Sequence, residues 1–195
     1  SQRAAHMVNQ LLAMARADQK ENTLALVPLD VAELAVEVMQ DFVPRALEKH
    51  IDFGYEGASP GDLTSRIKGH RLLLGEMLRN LIDNALRYTQ ENGRVTVRIR
   101  SDAERNLAIL EVEDNGPGIA PAERAHVFER FYRILGSQVE GSGLGLAIVR
   151  EIAQQHGADV DIFSNPRSND VRLPGCLFRI SIPALPVAVS DGELA

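Results

Sequence analysis

The chain has 195 residues, of which 45% are hydrophobic, so it is long enough to bury one substantial core. Its formal net charge of −6 argues against a general nucleic-acid surface, which needs a net basic face. The single cysteine, Cys176, cannot form an internal disulfide, and no apolar run approaches the ~20 residues that cross a bilayer. The composition therefore predicts one domain with a short appendage, in a cytoplasmic setting and without direct membrane contact.

Two helices are predicted in the first fifty residues. Hydrophobic residues recur at helical spacing between Arg3 and Asp18, with no glycine or proline among them. Asp30 is a suitable N-cap for a second helix that runs to about Lys49, and Pro44 should kink or divide that helix.

Strands and helices alternate along the rest of the chain. Strand candidates are residues 51–55, 65–69, 95–99, 107–113, 159–163 and 176–182. Helices are predicted for residues 70–89, from Ala122 to about Tyr132, and from near Gly143 to Gly157. Because this order has no strict βαβ rhythm, it predicts a mixed sheet with helices on one face, followed by a disordered tail after Pro186.

The helix predicted for residues 70–89 has one apolar and one polar face. Its apolar stripe consists of Leu74, Leu78, Leu81, Ile82 and Ala85, and its polar stripe of Glu76, Asn80, Asp83, Asn84 and Arg87. Asparagine is a poor helix former because its side chain competes for backbone hydrogen bonds, so two asparagines four residues apart need an explanation. Their amide oxygens could coordinate Mg²⁺ beside phosphate oxygens, and the alternative is an ordinary solvated face.

A predicted strand runs directly into the glycine turn Asp114-Asn115-Gly116-Pro117-Gly118-Ile119. A carboxylate at the end of a strand can accept a hydrogen bond from an adenine amino group, and the glycines let the backbone pass close to the flat base. The alternatives are an ordinary turn and a calcium loop, although the residues that follow lack the ligand spacing of an EF-hand.

A second glycine cluster, Gly141-Ser142-Gly143-Leu144-Gly145-Leu146, opens a predicted helix whose free amides would face phosphates. Its spacing differs from the dinucleotide-binding fingerprint, and no glycine of the chain precedes a lysine as a Walker A loop requires. Taken alone, this cluster could equally be a flexible hinge. Upstream lies Phe128-Glu129-Arg130-Phe131-Tyr132-Arg133, in which Arg130 could hold phosphate oxygens and Phe128 and Phe131 could anchor a lid. The alternative makes them ordinary core aromatics and a surface charge.

These segments closely resemble the N box, first glycine box, F box and second glycine box of bacterial sensor histidine kinases, in that order. The resemblance implies an α/β (α+β) two-layer sandwich, the GHKL/Bergerat ATP-binding fold, with a mixed, mostly antiparallel sheet, helices on one face and a short helical segment before it. It also implies three parts: residues 1–22 as the end of the second helix of a dimerisation and phosphotransfer domain, 23–186 as the catalytic ATP-binding domain, and 187–195 as a flexible tail.

The resemblance implies roles for individual residues. Asn80 and Asn84 would hold Mg²⁺, and Asp114 would recognise the adenine of ATP. The other implied nucleotide-binding residues are Arg87, Tyr88, Gly116, Gly118, Ile119, Gly141, Gly143, Leu144, Gly145 and Leu146. Arg130 would offset charge on the γ-phosphate. Glu76, where hydrolytic relatives place a general base, would orient a water or the acceptor histidine, or it is simply an exposed helix charge.

The implied activity is that of a protein histidine kinase, which transfers the ATP γ-phosphoryl to a histidine on a phosphotransfer domain for onward signalling to a response regulator. The family's phosphoacceptor histidine precedes an acidic residue, but His6, His50, His70, His126 and His156 do not, so we expect no autophosphorylation by this chain. The full-length protein is expected to be a homodimer in the bacterial inner membrane. A GHKL-type ATP hydrolase and a nucleotide-gated protein-binding module are the alternatives.

Overall fold

The computed structural model describes residues 25–133 and 143–186. In chain order its elements are β1 (Val27–Asp30), α1 (Val31–Gln40), α2 (Val43–Glu48), β2 (Asp52–Gly57), β3 (Arg66–Gly69), α3 (Arg71–Tyr88), β4 (Arg94–Asp102), β5 (Leu107–Asp114), α4 (Gly145–Gln155), β6 (Asp159–Phe163) and β7 (Cys176–Pro183). The predicted helix 3–18 and the predicted tail lie outside the described residues. None of the helices described is long and apolar enough to span a membrane.

Five strands form the main sheet in the order β2-β4-β5-β7-β6. The β2 and β4 strands are parallel, and every other neighbouring pair is antiparallel. The β1 and β3 strands form a separate antiparallel ribbon. The predicted mixed, mostly antiparallel sheet is therefore confirmed.

The two faces of the sheet are chemically opposite. A row of inward side chains crosses all five strands in register, and it consists of Tyr55, Val97, Val112, Phe178 and Ile162. This face packs against α1, α3 and α4. The adjacent row points outward and alternates in charge: Glu56, Arg98, Glu111, Arg179 and Asp161. One face thus forms the core and the other carries ion pairs, which confirms the two-layer sandwich.

The amino-terminal helices form where capping and proline chemistry predict. The Asp30 carboxylate accepts hydrogen bonds from the backbone N–H groups of Ala32 at 2.9 Å and Glu33 at 3.2 Å, which caps α1. Pro44 lies in the first turn of α2, where its missing N–H is harmless, and the chain breaks between the two helices as predicted. The short strand β1, just before the cap, was not predicted.

The helix predicted from Ala122 to about Tyr132 is wrong. The structure has two single 3₁₀ turns instead, Pro121–Glu123 and His126–Phe128, and the backbone is extended at Glu129. Val127 is the one buried residue of those turns, so an amphipathic helix would have no apolar stripe to bury there. The Arg124 side chain also holds the segment against the sheet, because it donates to the Ile119 and Ile162 carbonyls at 3.1 and 3.3 Å.

The buried stripe of α3 offers a test of the core. Leu81 is fully buried, and Leu72 on the same helix is 70% exposed. We expect Leu81→Ala to lower the free energy of unfolding by about 2–5 kcal/mol, because it leaves a cavity. Leu72→Ala should change that free energy by less than about 0.5 kcal/mol. Urea denaturation of both variants measures the difference, and equal effects would contradict the assigned core face.

Candidate functional site

Asn80 lies in the middle of α3, and Glu76 fixes the orientation of its amide. The Asn80 Nδ2 group donates to the Glu76 backbone carbonyl at 2.8 Å and to Glu76 Oε1 at 3.2 Å. Because both amide hydrogens are used in this way, Oδ1 is left to accept a hydrogen bond or to bind a cation. A Cβ atom at Gly145 would lie only 3.0 Å from that Oδ1 atom. The amide oxygen therefore lies where α4 begins.

Asn84 is half-buried one turn after Asn80, on the same face of α3. Its neighbour Asp83 accepts hydrogen bonds from Arg45 of α2 and, at 2.5 Å, from Arg87 Nη2. These two guanidinium groups neutralise Asp83, and they tie the Arg87 side chain to the helix. Asn80 and Asn84 therefore lie on one face of α3, and Arg87 is fixed about one turn beyond Asn84.

The carboxyl end of α3 is held by a lysine. The Lys49 Nζ atom donates to the backbone carbonyls of Leu86 at 2.8 Å and Thr89 at 2.7 Å, which closes the last turn. Burial lowers the pKa of Lys49, and nearby Arg45 lowers it further. This positioning lysine was not predicted, because no local pattern connects it to a helix end forty residues away. Tyr88, in the turn that Lys49 closes, is 38% exposed.

Asp114 is a buried carboxylate at the end of β5, only 6% exposed. Burial raises the pKa of Asp114 to about 6, although the backbone N–H groups of Gly116 and Cys176 oppose the rise and neighbouring Glu113 adds to it. The Gly116 N–H donates to Asp114 Oδ1 at 2.9 Å. Because water has little access to this carboxylate, it is a strong acceptor for an N–H group of a ligand.

The glycine turn after β5 packs against the last turn of α3. A Cβ atom at Gly116 would lie 3.0 Å from the Tyr88 carbonyl oxygen, so the turn and the helix end are in close contact here. Gly145 also approaches this helix closely, at Asn80. The two contacts are eight residues apart, which is about 12 Å along the helix axis. The residues predicted to bind base and metal therefore lie beside the stretch of α3 from Asn80 to Tyr88, and we call the surface along this stretch the groove.

A second loop supports the Asp114 turn from below. The Asn165 Nδ2 atom donates to the Asp114 backbone carbonyl at 2.8 Å, and the Gly175 N–H donates to the Gly116 carbonyl at 2.9 Å. Gly118 has a φ of +71°, and a Cβ atom there would lie 2.6 Å from the Gly175 carbonyl oxygen. Neither Asn165 nor Gly175 was predicted. The Pro174-Gly175 pair signals a turn in the sequence, but nothing there reveals which loop it supports.

The start of α4 carries the second glycine cluster. Its N-cap residue is Leu144, and no side chain of the described residues caps the helix. Leu144 and Leu146 are half-buried and pack against the core, as predicted, and Ile119 after the first glycine turn does the same. The helix amides are therefore held next to Asn80 by apolar packing. Gly141 lies outside the described residues.

Gly143 connects the F-box segment to α4. It has a φ of +66°, and a Cβ atom there would lie 2.8 Å from the backbone of Phe131. The Phe131 N–H donates to the Gly143 carbonyl at 2.9 Å. Phe128 packs against the core beneath the Arg150 guanidinium, as an anchor should, but Phe131 is 71% exposed, so its predicted anchoring role is wrong. The backbone of Phe131 makes the connection that its ring was expected to make. Arg130, next to that connection, is exposed.

Metal binding at this site would need amide and phosphate oxygens. Within residues 25–133 and 143–186, no three His, Cys, Asp or Glu side chains are grouped so that they could hold a metal ion. The free Oδ1 of Asn80 and the space that Gly145 leaves beside it fit a small hard cation that shares its ligands with a bound anion. The residues present are therefore compatible with Mg²⁺ only when a phosphorylated ligand is bound as well.

The raised pKa of Asp114 predicts a pH-dependent stability. The pKa lies about two units above its ordinary value of 3.8, so the folded state holds this proton more tightly and loses stability as pH rises from about 4 through 6. Asp114→Asn removes that loss. Relative to the wild type, the variant should therefore gain up to about 3 kcal/mol of unfolding free energy between pH 4 and pH 7. Urea denaturation across this range measures the gain. With Asp159→Asn, an exposed control on β6, the difference should stay flat, and a flat difference for Asp114→Asn would contradict the assignment.

Comparison with known proteins identifies the family. Residues 69–186 match the family model described as histidine kinase-, DNA gyrase B-, and HSP90-like ATPase. Sensor protein QseC of Salmonella typhi is 37% identical over 158 residues, which are 81% of this chain and 33% of QseC. The chain thus spans about a third of the length of the curated relatives it matches.

Two solved structures extend the similarity to the fold. The mycobacterial sensor histidine kinase MprB matches with a TM-score of 0.69 and 32% identity over 83% of this chain and 99% of the MprB chain. Full-length ShkA in complex with AMPPNP matches with a TM-score of 0.68 and 29% identity over 94% of this chain and 37% of ShkA.

The matched residues include α3, the glycine turn after β5 and the start of α4, which together form the groove described above. The chain therefore belongs to the histidine kinase-, DNA gyrase B-, and HSP90-like ATPase family, as the ATP-binding catalytic domain of a sensor histidine kinase.

Proposed function

We propose that this chain binds Mg-ATP in the groove along α3 and transfers the γ-phosphoryl to a histidine on a phosphotransfer domain. One observation carries the proposal: a buried carboxylate at one end of the groove faces the same helix that presents an amide oxygen to the start of α4 at the other end. A ligand that carries an amino-bearing base at one end and a chain of phosphates at the other fits this arrangement. The similarity of this chain to the sensor kinases MprB and QseC supports transfer of the phosphoryl group to a histidine.

Asp114 recognises the adenine. Its ionised carboxylate accepts a hydrogen bond from the exocyclic amino group, and the backbone of Gly116 and Gly118 leaves room for the plane of the base. Since the carboxylate is already buried and held by the Gly116 N–H, it loses little freedom when the base binds. Recognition of a purine amino group is therefore favoured over recognition of a carbonyl at that position.

The start of α4 holds the phosphates. Backbone N–H groups of Gly143, Gly145 and the residues beside them face the anion, together with the positive end of the helix dipole. Asn80 and Asn84 would supply amide oxygens to Mg²⁺, which neutralises charge on the phosphates when it is bound. Arg87, tied to Asp83, and Tyr88 lie one turn further and would contact the phosphates or ribose from the side.

Arg130 and Glu76 are the proposed catalytic side chains. The exposed Arg130 guanidinium lies beside the Phe131–Gly143 hydrogen bond and would offset charge that develops on the γ-phosphoryl. Glu76 already holds the Asn80 amide through one oxygen, so it would orient the acceptor histidine with the other. In the transfer, an imidazole nitrogen bonds to phosphorus, the bond from phosphorus to the β,γ-bridging oxygen breaks, ADP leaves, and the imidazole gives up its proton.

The full-length protein is proposed to be a homodimeric sensor kinase of the bacterial inner membrane, with this domain on the cytoplasmic side. A response regulator would take the phosphoryl group from the histidine. The acceptor histidine lies in the phosphotransfer domain, since none of the histidines of this chain has the sequence context that the family uses.

Binding of Mg-ADP to Asp114→Asn tests the adenine contact. The amide presents a donor, or a weaker acceptor, to the adenine amino group, and the loss of a hydrogen bond to a charged partner costs about 1.5–3 kcal/mol. We expect an affinity roughly tenfold to a hundredfold lower in calorimetric titrations. Asp159→Asn, remote on β6, should bind like the wild type. Equal affinities for the Asp114 variant and the wild type would refute the contact.

Phosphoryl transfer tests the activity and the metal site together. With γ-labelled ATP, Mg²⁺ and an isolated phosphotransfer domain of a related kinase, the label should move to that domain's histidine, while this chain alone stays unlabelled. Asn80→Ala should reduce Mg²⁺-dependent ATP affinity roughly tenfold or more, because a metal ligand is lost. Asn169→Ala, in an exposed loop, is the matched control. Release of free phosphate without an acceptor would favour a hydrolase, and binding without any transfer would favour a binding module.

A further inference from the structure

The loop between β6 and β7 reaches across the sheet from one edge to the other. It begins after Phe163 on β6, the strand at one edge, and its residue Arg167 contacts Glu56 on β2, the strand at the opposite edge. The same loop contains Asn165, which bonds the backbone of Asp114. One loop therefore connects an edge strand to the carboxylate that is proposed to recognise adenine.

Asn165 uses both ends of its side-chain amide. Its Nδ2 atom donates to the Asp114 backbone carbonyl at 2.8 Å, and its Oδ1 atom accepts the Arg167 backbone N–H at 2.7 Å. The residue is only 8% exposed, so water has little access to replace either bond. A carboxylate at this position could accept the Arg167 N–H, but it could not donate to the Asp114 carbonyl. The amide thus links the bend of the loop to the Asp114 backbone.

The other end of the loop holds Asp114 from a second side. Gly175 has a φ of +62°, and a Cβ atom there would collide with the Asp114 carbonyl oxygen and lie 2.6 Å from the Asn165 Cβ atom. Glycine at this position therefore lets the two residues approach each other. The next residue, Cys176, donates its backbone N–H to the Asp114 carboxylate. The loop thus contacts both the backbone and the side chain of Asp114.

A bidentate ion pair fixes the loop to the sheet. Arg167 Nη1 and Nη2 donate to Glu56 Oε1 and Oε2, both at 2.9 Å, and Arg98 Nε of β4 donates to the same carboxylate at 2.9 Å. Hydrogen bonds from Arg167 and Arg98 lower the pKa of Glu56 to about 2, so the carboxylate stays ionised at neutral pH. Because paired hydrogen bonds constrain orientation as well as distance, this ion pair restricts movement of the loop around Asn165.

We propose that Asn165 is a positioning residue for adenine recognition, and that the Arg167–Glu56 ion pair holds Asn165 in place from the edge of the sheet. On the proposed function the Asp114 carboxylate meets the purine amino group, and this positioning role rests on that contact. Binding groups have to be held within about 0.5 Å of their productive geometry. A displaced Asp114 would lose the amino group, whereas the phosphate contacts at the start of α4 would remain. Asn165 therefore controls selectivity for the base.

Titration of Asn165→Ala with ADP and with inosine diphosphate separates positioning from a general loosening of the site. Inosine has a carbonyl where adenine has its amino group, so the wild type should prefer ADP at least about tenfold. We expect Asn165→Ala to bind ADP about tenfold more weakly, and to bind inosine diphosphate within about twofold of the wild type. Asn169→Ala, which changes an exposed asparagine of the same loop, should keep the wild-type preference. An unchanged ADP affinity, or an equal loss for both nucleotides, would overturn the proposal.

Arg167→Ala provides a second variant if Asn165→Ala folds poorly. The Arg167 side chain is 48% exposed, so its removal leaves no buried cavity. We expect ADP affinity to fall about threefold, the size of effect that an exposed ion pair supports, with inosine diphosphate again unaffected. Arg172→Ala is the matched control, because this exposed arginine pairs with Asp170 inside the same loop. Equal ADP affinities for the two arginine variants would overturn the role of the ion pair.

Amide hydrogen exchange tests the positioning without nucleotide. In Asn165→Ala the Cys176 N–H should exchange at least about tenfold faster than in the wild type, because its acceptor, the Asp114 carboxylate, is no longer held in place. In Asn169→Ala the rate should stay the same. Unchanged exchange in Asn165→Ala would contradict the positioning role. A wild type that does not prefer ADP over inosine diphosphate would count against the proposed adenine contact alone, and the exchange rates would still decide whether Asn165 positions Asp114.

Discussion

Burial of the Asp114 carboxylate costs free energy, because desolvation disfavours its charged form, and the surrounding structure is arranged to keep it in place. The Gly116 N–H bonds its side chain, and Asn165 and Gly175 hold the backbone of the turn from below. These contacts lower the cost without removing it, since the pKa of Asp114 stays near 6. A fold selected for stability alone would place an apolar residue at the end of β5. A carboxylate at this position is explained if it binds an N–H donor of a ligand.

The α3 helix fixes the positions of the other predicted binding residues relative to Asp114. Its apolar stripe lies against the sheet, and this fixes the opposite stripe along the groove. Gly116 approaches its carboxyl end and Gly145 its middle, and at both places a Cβ atom would lie 3.0 Å from an oxygen of α3, which is closer than an ordinary contact. The loop after β5 and the start of α4 are thereby set at a fixed separation along one rigid element. Lys49 and the Arg45–Asp83–Arg87 cluster stabilise the same helix from the side of α2.

The outer face of the sheet carries charged side chains instead of an apolar core. Charges alternate in register across all five strands, and Glu111 at the centre is almost completely buried. Burial alone would raise the pKa of Glu111, but hydrogen bonds from Arg100, Arg98 and Arg179 hold it at about 2. Glu113, two residues along the same strand, has longer ion pairs with Arg98 at 3.6 Å and Arg167 at 3.9 Å.

Elements with strong periodicity could be predicted from the sequence, and those that depend on distant partners could not. The β6 strand and the faces of α3 follow from spacing alone, and the glycine boxes follow from motif resemblance. The predicted helix over 122–132 failed because the segment has no apolar stripe to bury and Arg124 bonds the Ile162 carbonyl of β6. Phe131 was misassigned because its backbone, and not its ring, makes the contact. Support of the Asp114 turn by Asn165 likewise depends on a residue fifty-one positions away.

The central claim is that one groove along α3 recognises a purine at Asp114 and a phosphate-bound divalent ion at Asn80 and Asn84. A crystal structure of the protein with a non-hydrolysable ATP analogue and Mn²⁺, located by its anomalous scattering, tests it most directly. We predict a manganese peak within bonding distance of both amide oxygens and the purine amino group within hydrogen-bonding distance of the Asp114 carboxylate. A base located away from Asp114, with the metal away from both asparagines, would contradict it.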